Sequence, residues 1–436
     1  MTTKPTTTFT LHAATATAAL LLALPGGAQA QAPACTHNVG VVVELTGPAG
    51  RFGQAAAKSV ELAFNELNAA AGAAGIAGCK LGTDLRDSQS QGTVAVDQAR
   101  QLVDLKKVPA IIGGIISSVS IPVVTSVTGP AGVVQISPAS TSPTLTRLGN
   151  EGTTKGWFFR TITSDALQGT AAAKYALDQG MKTLTVIHVN NDFGVNMLNE
   201  FRRAYEALGG KITGVTPYNP NQPSYAAEVT NAMKGDAPAL YFIGYPGDGT
   251  NIIRTWVQQG GPRKFLFNDG MNAADFIKGV GPQFLNDAYG TSSGTTRTPS
   301  TEFFAKAYPA MSGGFDAGAP AADRAFDAAA ILGLAIAHAG KFEAGAIRDS
   351  IRRVTGPSAG AEVVHAGPEG FKRALQLIRE KKPVRYVGVI GAVEFDKNGD
   401  IVGPFRTWKL VNGEVTTVGQ MSTEDVQAVQ AKLPAR

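Results

Sequence analysis

The chain has 436 residues, with 39 Lys and Arg against 34 Asp and Glu and a net charge of +5 at pH 7. So mild a charge, carried by scattered lysines and arginines with no aromatic-interleaved basic stripe, argues against nucleic acid as a partner. The length suits two domains, each large enough for its own core.

The first segment reads as a leader. Lys4 sits in a Thr-rich start, residues 13–24 form a short apolar run ending at Pro25-Gly26-Gly27, and Ala28-Gln29-Ala30 has the small-x-small pattern of a cleavage site. This predicts a secretory signal peptide over residues 1–30, cleaved after Ala30, and export to the periplasm. Cys35 lies too far beyond the apolar run for a lipid anchor, and no later segment is apolar for long enough to cross a bilayer.

From Val39 onward, short β-branched runs alternate with amphipathic stretches. Residues 39–43 read as a buried strand. Residues 55–71 read as a helix with Val60, Ala63, Phe64, Leu67 and Ala71 on one face, stopped by Gly72. A strand over 80–85, a helix over 94–105 and strands over 110–112 and 133–136 follow. The helix between the last two is expected to start near Pro122, a favourable first helical position. Cys35 and Cys79 each precede one of the first two strands. In an oxidising compartment an even cysteine count favours a disulfide. A right-handed crossover would set those strands side by side and parallel, with their amino ends near bridging distance.

A second series begins after Trp157-Phe158-Phe159-Arg160. It has helices over 166–179, 195–208, 225–234 and 250–259, and strands over 183–189, 211–215, 239–243 and 264–267. Strands alternating with helices predict parallel sheets covered on both faces, and two series of like plan predict two α/β lobes. Near Tyr289-Gly290-Thr291 the chain is expected to return to the first lobe and add helices over 301–308, 323–339 and 346–354. The segment 358–382 carries one more amphipathic helix, 370–380. Val393-Glu394-Phe395 and Ile401-Val402 read as a hairpin with an Asn398-Gly399 turn. The first lobe thus takes residues 36–160 and 290–392, the second 161–289 and 393–436.

Catalytic and cofactor motifs fail on context. Gly72-Ala73-Ala74-Gly75-Ile76-Ala77-Gly78 follows a helix and precedes a strand, the reverse of a phosphate-binding turn. Asp192-Phe193-Gly194 has no accompanying Gly-rich or catalytic loop. Asp396 to Asp400 lacks the distal Glu of a calcium loop. His37, His188, His338 and His365 have no partners at metal-ligand spacing, although His188 lies on a strand close to the candidate pocket. Nothing assembles a nucleophile, base and orienter. The expectation is a non-enzyme with no cofactor and no metal.

Open parallel sheets bind ligands outside the carboxyl ends of their strands. In the first series those ends carry Ser117-Ser118 and Ser137-Pro138-Ala139-Ser140-Thr141, neutral hydroxyls near helix starts that favour a carboxylate. In the second they carry Asn191-Asp192-Phe193, Tyr245 and Asn268-Asp269-Gly270, aromatics plus an acid. A carboxylate receptor facing aromatics and an acid suits a zwitterion with an apolar body.

Val39-Gly40-Val41 through Thr46-Gly47-Pro48, with Arg51-Phe52-Gly53, resembles the opening of the Leu/Ile/Val-binding proteins. Ile136-Ser137-Pro138-Ala139-Ser140-Thr141-Ser142-Pro143 is similar to that family's ligand loop, Phe158-Phe159-Arg160-Thr161 to its first interlobe crossing, and residues 391–400 to its last. The resemblance spans nearly the whole mature chain. It implies a type I periplasmic-binding fold: two doubly wound parallel-sheet lobes joined by a three-crossing hinge. It implies that Ser118 and Thr141, with Ser117 and Ser140 in the same loops, hold a ligand carboxylate. The Ala139 carbonyl, the Thr141 hydroxyl and Asp269 would hold the ammonium, and Phe52, Phe193 and Tyr245 would line a side-chain pocket with no second charge. The implied role is capture by hinge closure of a neutral, hydrophobic or branched-chain amino acid by a monomer, for an ABC permease and its ATPase. The alternatives are a sensory ligand-binding protein, or the same transport role with an aromatic acid, amide or urea.

Overall fold

The computed structural model describes residues 1–2, 5–8, 35–76 and 78–434. The chain divides into Met1–Ala34 and Cys35–Arg436, and the second unit holds all the strands and helices among the described residues. The expected signal peptide lies almost wholly outside the described residues.

The first sheet is built of β1 (Thr36–Val43), β2 (Lys80–Asp87), β3 (Ala110–Gly113), β4 (Val134–Ser137) and β5 (Phe158–Arg160), all parallel, in the order β2-β1-β3-β4-β5. The β-branched run Val41-Val42-Val43 is fully buried because helices cover both faces of this sheet. The helix Gly50–Ala73 buries Val60, Ala63, Phe64 and Leu67 of the face read from the sequence, leaves Ala71 partly buried, adds Phe52, and begins one turn earlier than expected. It packs along the helix Ala322–Ala339. A Cβ at Gly333 would lie 2.4 Å from Leu67, so glycine permits that close approach. The helix expected near Pro122 starts instead at Ser117 and carries Pro122 inside it, because the turn after β3 leads straight into the helix.

Cys35 and Cys79 are joined in a disulfide with their Cα atoms 4.6 Å apart. Each immediately precedes its strand, and Thr36 pairs with Lys80 in the parallel β1–β2 ladder. The expected crossover produces the expected bridge.

The second sheet repeats the order with β6 (Thr183–Val189), β7 (Lys211–Tyr218), β8 (Leu240–Ile243), β9 (Lys264–Phe267) and β10 (Asp287–Ser293), running β7-β6-β8-β9-β10. The return to the first lobe is later than expected: Tyr289, Gly290 and Thr291 lie inside β10, parallel to β9, and the chain leaves this sheet only after Ser293. The helices Pro299–Met311, Ala322–Ala339 and Ala344–Thr355 then pack around the first sheet. The 358–382 segment forms β11 (Glu362–His365) and the helix Pro368–Arg379, which lies against Gly50–Ala73. With β12 (Val384–Gly388) and β13 (Gly391–Ala392), β11 makes a small sheet of its own.

The hairpin expected at 393–402 does not form a ladder. Asp396 Oδ1 accepts from the backbone N–H groups of Asn398 (2.8 Å) and Asp400 (2.9 Å), folding the segment into a tight loop. Gly399, at φ +79°, is wedged so that a Cβ would lie 2.0 Å from the Phe158 carbonyl oxygen. A hairpin does form further on, from β14 (Phe405–Val411) and β15 (Glu414–Met421), and β14 adds antiparallel to β10. Its turn is Asn412-Gly413, both at positive φ, as a two-residue hairpin turn requires.

Three chain segments cross between the sheets, near residues 161–164, 294–296 and 393–404, and they are tied to one another. Arg160 N–H donates to the Gly399 carbonyl (2.9 Å), Gly294 N–H to the Pro404 carbonyl (2.7 Å), Thr163 pairs with Ile401 in a parallel bridge, and the Thr163 and Ser293 hydroxyls bond to each other.

Candidate functional site

The carboxyl ends of both sheets converge on one cavity of about 340 Å³. The first sheet contributes Ile115, Ile116 and Ser117 after β3 and Ala139 and Thr141 after β4; Phe52 comes from the first helix. The second contributes Phe193, Tyr245, Asn268 and Asp269 after β6, β8 and β9. Seven of the nine residues singled out from the sequence therefore line one space: Phe52, Ser117, Ala139, Thr141, Phe193, Tyr245 and Asp269.

The two others stand outside it. Ser118 is the second residue of the helix Ser117–Val123 and does not line the cavity; its neighbour Ser117 takes that place. Ser140 is fully buried behind the wall, its Oγ bonded to Ser120 Oγ (2.7 Å) and to the Ile115 carbonyl (3.1 Å), so it fixes loop shape. His188 does not line the cavity either; its Nδ1 lies 3.0 Å from the Val189 carbonyl.

Buried partners set the polarity of the two lining hydroxyls. Ser117 Oγ accepts from the Ser142 backbone N–H (3.1 Å), which leaves its O–H free to donate. Thr141 donates its hydroxyl to Asp165 Oδ2 (2.7 Å), which leaves its oxygen able only to accept. Arg160, fully buried, holds the loop that carries Thr141. Its Nη1 donates to the carbonyls of Ser140 (3.0 Å) and Ser142 (3.1 Å), and its Nε pairs with Asp400 Oδ1 at 2.6 Å.

Asp269 opens a short turn after β9. Its Oδ1 accepts from Gly270 N–H (2.9 Å) and Asn268 Nδ2 (3.3 Å), and the Asn268 side chain is itself pinned to both backbone groups of Gly244. Burial raises the Asp269 pKa above the usual carboxylate range against those hydrogen bonds and the Arg324 charge. Asp165, which sequence reading did not single out, is completely buried and keeps one carboxylate oxygen, Oδ1, without a partner. Burial, then the charge of Asp269, hold it well above its ordinary range. Two buried carboxylates raised together form a site whose electrostatics improve when a cation arrives. On the same sheet ends as Asp269, Phe193 and Tyr245 stack at 5.6 Å, and Tyr245 is anchored by Asn191 Nδ2 donating to its hydroxyl (3.1 Å).

The expectation that no second charge lines the pocket is corrected: Arg324 and Arg406 both line the cavity. Arg324 arrives on the long core helix Ala322–Ala339 and Arg406 on β14, elements far along the chain whose relation to the strand ends has no local signal. Only the alternation Phe405-Arg406-Thr407-Trp408 ahead of Asn412-Gly413 marked that strand.

Two doubly wound sheets of the same strand order, joined by three crossings and facing one polar and aromatic cavity across their carboxyl ends, define a two-lobed solute receptor. The family model described as "Periplasmic binding protein" matches residues 36–375. The chain belongs to this family of solute-binding proteins, which places it in the periplasm, and it has the type I periplasmic-binding fold. Over 380 residues it is 25% identical to the Leu/Ile/Val-binding protein homolog 3 of Brucella melitensis, covering 87% of this chain and 92% of that one. The leucine-binding protein LivK of Thermotoga maritima has the same fold, with a TM-score of 0.72 at 23% identity over 89% of this chain and 99% of LivK. So does LivJ of Streptococcus pneumoniae in complex with isoleucine, with a TM-score of 0.71 at 21% identity over 89% and 99% of the two chains.

Proposed function

We propose that the chain is the solute-binding component of an ABC importer and captures an amino acid between its lobes as the zwitterion. The observation that carries this reading is the opposed polarity of Ser117 and Thr141. Ser117 presents a free donor for a carboxylate, while Thr141 presents an acceptor for an ammonium beside Asp269 and Asp165. The aliphatic body of a neutral, branched-chain side chain packs against Phe52, Phe193 and Tyr245. Capture involves no covalent chemistry: the solute docks on the first lobe, the second closes over it, and the closed form of the monomer is read by a permease and its ATPase. Export through the amino-terminal leader, cleaved after Ala30, delivers the chain to that partner. The Brucella and Streptococcus relatives, one a Leu/Ile/Val-binding protein homolog and the other bound to isoleucine, support the ligand class.

A thermal-shift screen of leucine, isoleucine and valine against their 2-oxo acid counterparts tests it. A ligand at 100 times its dissociation constant stabilises by about 2.7 kcal/mol, a readily measured shift. The amino acids should shift melting and the oxo acids should not. A shift with the oxo acids alone would refute the zwitterion.

A further inference from the structure

A neutral amino acid uses only part of the cavity. The carboxylate and ammonium are met by Ser117, Thr141 and Asp269, and the aliphatic carbons by the aromatic wall. The rest of the wall includes the polar groups of Ser292, Ser293, Thr295, Thr301, Asp323, Arg324 and Arg406. Most of these polar groups are already committed. Thr301 Oγ donates to the Val389 carbonyl (2.9 Å), and the Ser293 hydroxyl is engaged with Thr163. Arg324 Nη1 is paired with Asp323 (2.7 Å to Oδ2), and its Nη2 donates to the Ser293 and Gly294 carbonyls (2.9 and 3.2 Å).

Arg324 Nε is left buried without a partner, and two further groups keep donors to give. Ser292 Oγ accepts from Trp408 Nε1 (3.0 Å), so, like Ser117, it keeps its O–H to give. Arg406 makes no ion pair among the described residues, and its Nε is buried without a hydrogen-bond partner. The carboxylate beside it, Asp323, is occupied by Arg324. Burial and the neighbouring Arg324 charge press the Arg406 pKa down, against the opposing charge of Asp323. The two groups are held together by the ladder, in which Ser292 pairs directly with Arg406 across β10 and β14. Arg406 also stands where this cavity meets a second, outer one of about 530 Å³.

A half-buried guanidinium with no ion pair, beside a free hydroxyl donor and with the adjacent acid already bridged, is complementary to a carboxylate, and charge-assisted hydrogen bonds of this kind are the strong ones. We infer that Arg406 and Ser292 form a second anion subsite in the ligand cavity. Resting on the amino-acid reading, this extends the ligand range to amino acids whose side chain ends in a carboxylate. Such a ligand is anchored at its α-groups by Ser117, Thr141 and Asp269 and at its far end by Arg406, with the methylenes between crossing the aromatic middle.

Calorimetric titration of the mature chain with leucine, glutamate and glutarate tests this, in the wild type and in Arg406→Leu and Arg406→Lys. Wild type should bind glutamate. The ratio of glutamate to leucine affinity should fall by roughly 30-fold or more in Arg406→Leu and by less in Arg406→Lys, which keeps the charge and loses the planar fork. Taking the ratio within each variant removes any general effect of the substitution on folding or closure. If wild type binds leucine but not glutamate, or if the ratio is the same in Arg406→Leu, the subsite is refuted while the amino-acid reading stands. If neither amino acid binds but glutarate does, and Arg406→Leu weakens it, the subsite stands and the amino-acid reading falls. Binding of none of the three overturns the subsite.

Discussion

Replacing Asp269 by Asn removes one negative charge while keeping the size of the side chain and an oxygen that can accept from Gly270 N–H, so the turn after β9 should survive. What is lost is the charge proposed to face the ammonium. Asp269 is held in a buried environment that raises its pKa, and Asp165 behind Thr141 is raised further by the Asp269 charge. In the free protein these two acids repel and are poorly solvated; an ammonium relieves both conditions at once. Truncating one partner of a buried, hydrogen-bonded charge pair costs about 2–5 kcal/mol. Because Asp165 remains in the variant, the lower part of that range applies, roughly 2–4 kcal/mol or about 30- to 1000-fold in affinity. Binding of the 2-oxo acid should be weak in both proteins and change little, since it carries no charge for Asp269 to meet. Amino acid affinity in the wild type should also fall as the solution is acidified through the raised range of Asp269, because the protonated carboxyl no longer attracts an ammonium. Titration calorimetry of leucine against wild type and Asp269→Asn, repeated across pH, measures both effects. Equal affinity in the two proteins would refute the reasoning and reduce Asp269 to a turn residue.

Reduction of the Cys35–Cys79 bridge, or Cys35→Ser with Cys79→Ser, frees a loop closed across a sequence separation of 44 and should cost roughly 2–4 kcal/mol in denaturant unfolding. The bridge joins the amino ends of β1 and β2, whereas the cavity lies at carboxyl ends, so ligand affinity should move far less than stability. Arg160→Met leaves Asp400 and the Ser140 and Ser142 carbonyls without their cation; a loss of about 3–5 kcal/mol is expected by chemical denaturation, with weaker ligand binding because the Thr141 loop is released. Glu44, buried at the end of β1 and accepting from Ile115 and Ile116 N–H groups, is pushed up to about 7, first by burial. A carboxyl with a higher pKa folded than unfolded binds more protons in the native state, so stability falls as pH rises from its unfolded value of about 4.5 to about 7 and is level above that, by about 3 kcal/mol in all. Melting temperatures from pH 5 to 8 should decline in the wild type and decline less in Glu44→Gln; parallel curves would refute the assignment.

The strand and helix alternation was legible because each element carries its own period: the β-branched run of β1 and the one-sided face of Gly50–Ala73 are local patterns. The site was legible where strand ends could be read off in order, which brought Ser117, Thr141, Phe193, Tyr245 and Asp269 to one space. One-residue placement was harder. Ser117 and Ser118 are chemically alike, and only the start of the helix after β3 decides which faces the cavity. Two Asn-Gly pairs, Asn398-Gly399 and Asn412-Gly413, carry the same turn chemistry. The flanks of the second can pair as strands, while the first is drawn by Asp396 and the Phe158 backbone into a packed loop. Arg324 and Arg406 were invisible for a different reason. Each is brought to the cavity by a return of the chain after a crossing, and no local window records where a distant helix or hairpin lands.

The cross-linked crossings give the molecule a mechanical property of its own. Segments joined to one another through Arg160 with Gly399, Gly294 with Pro404 and Thr163 with Ile401 bend as one ribbon, so the lobes have essentially a single coordinate along which to open. A change in the stiffness of that ribbon moves the balance between open and closed for every solute alike, because it acts before any side chain of the cargo is met. Changes in the cavity wall alter the differences between solutes. Gain and discrimination are therefore separate dials in this protein: mild hinge variants such as Ile401→Val should scale all affinities by a common factor, whereas selectivity can be retuned from Arg406 or Asp269 without touching the ribbon.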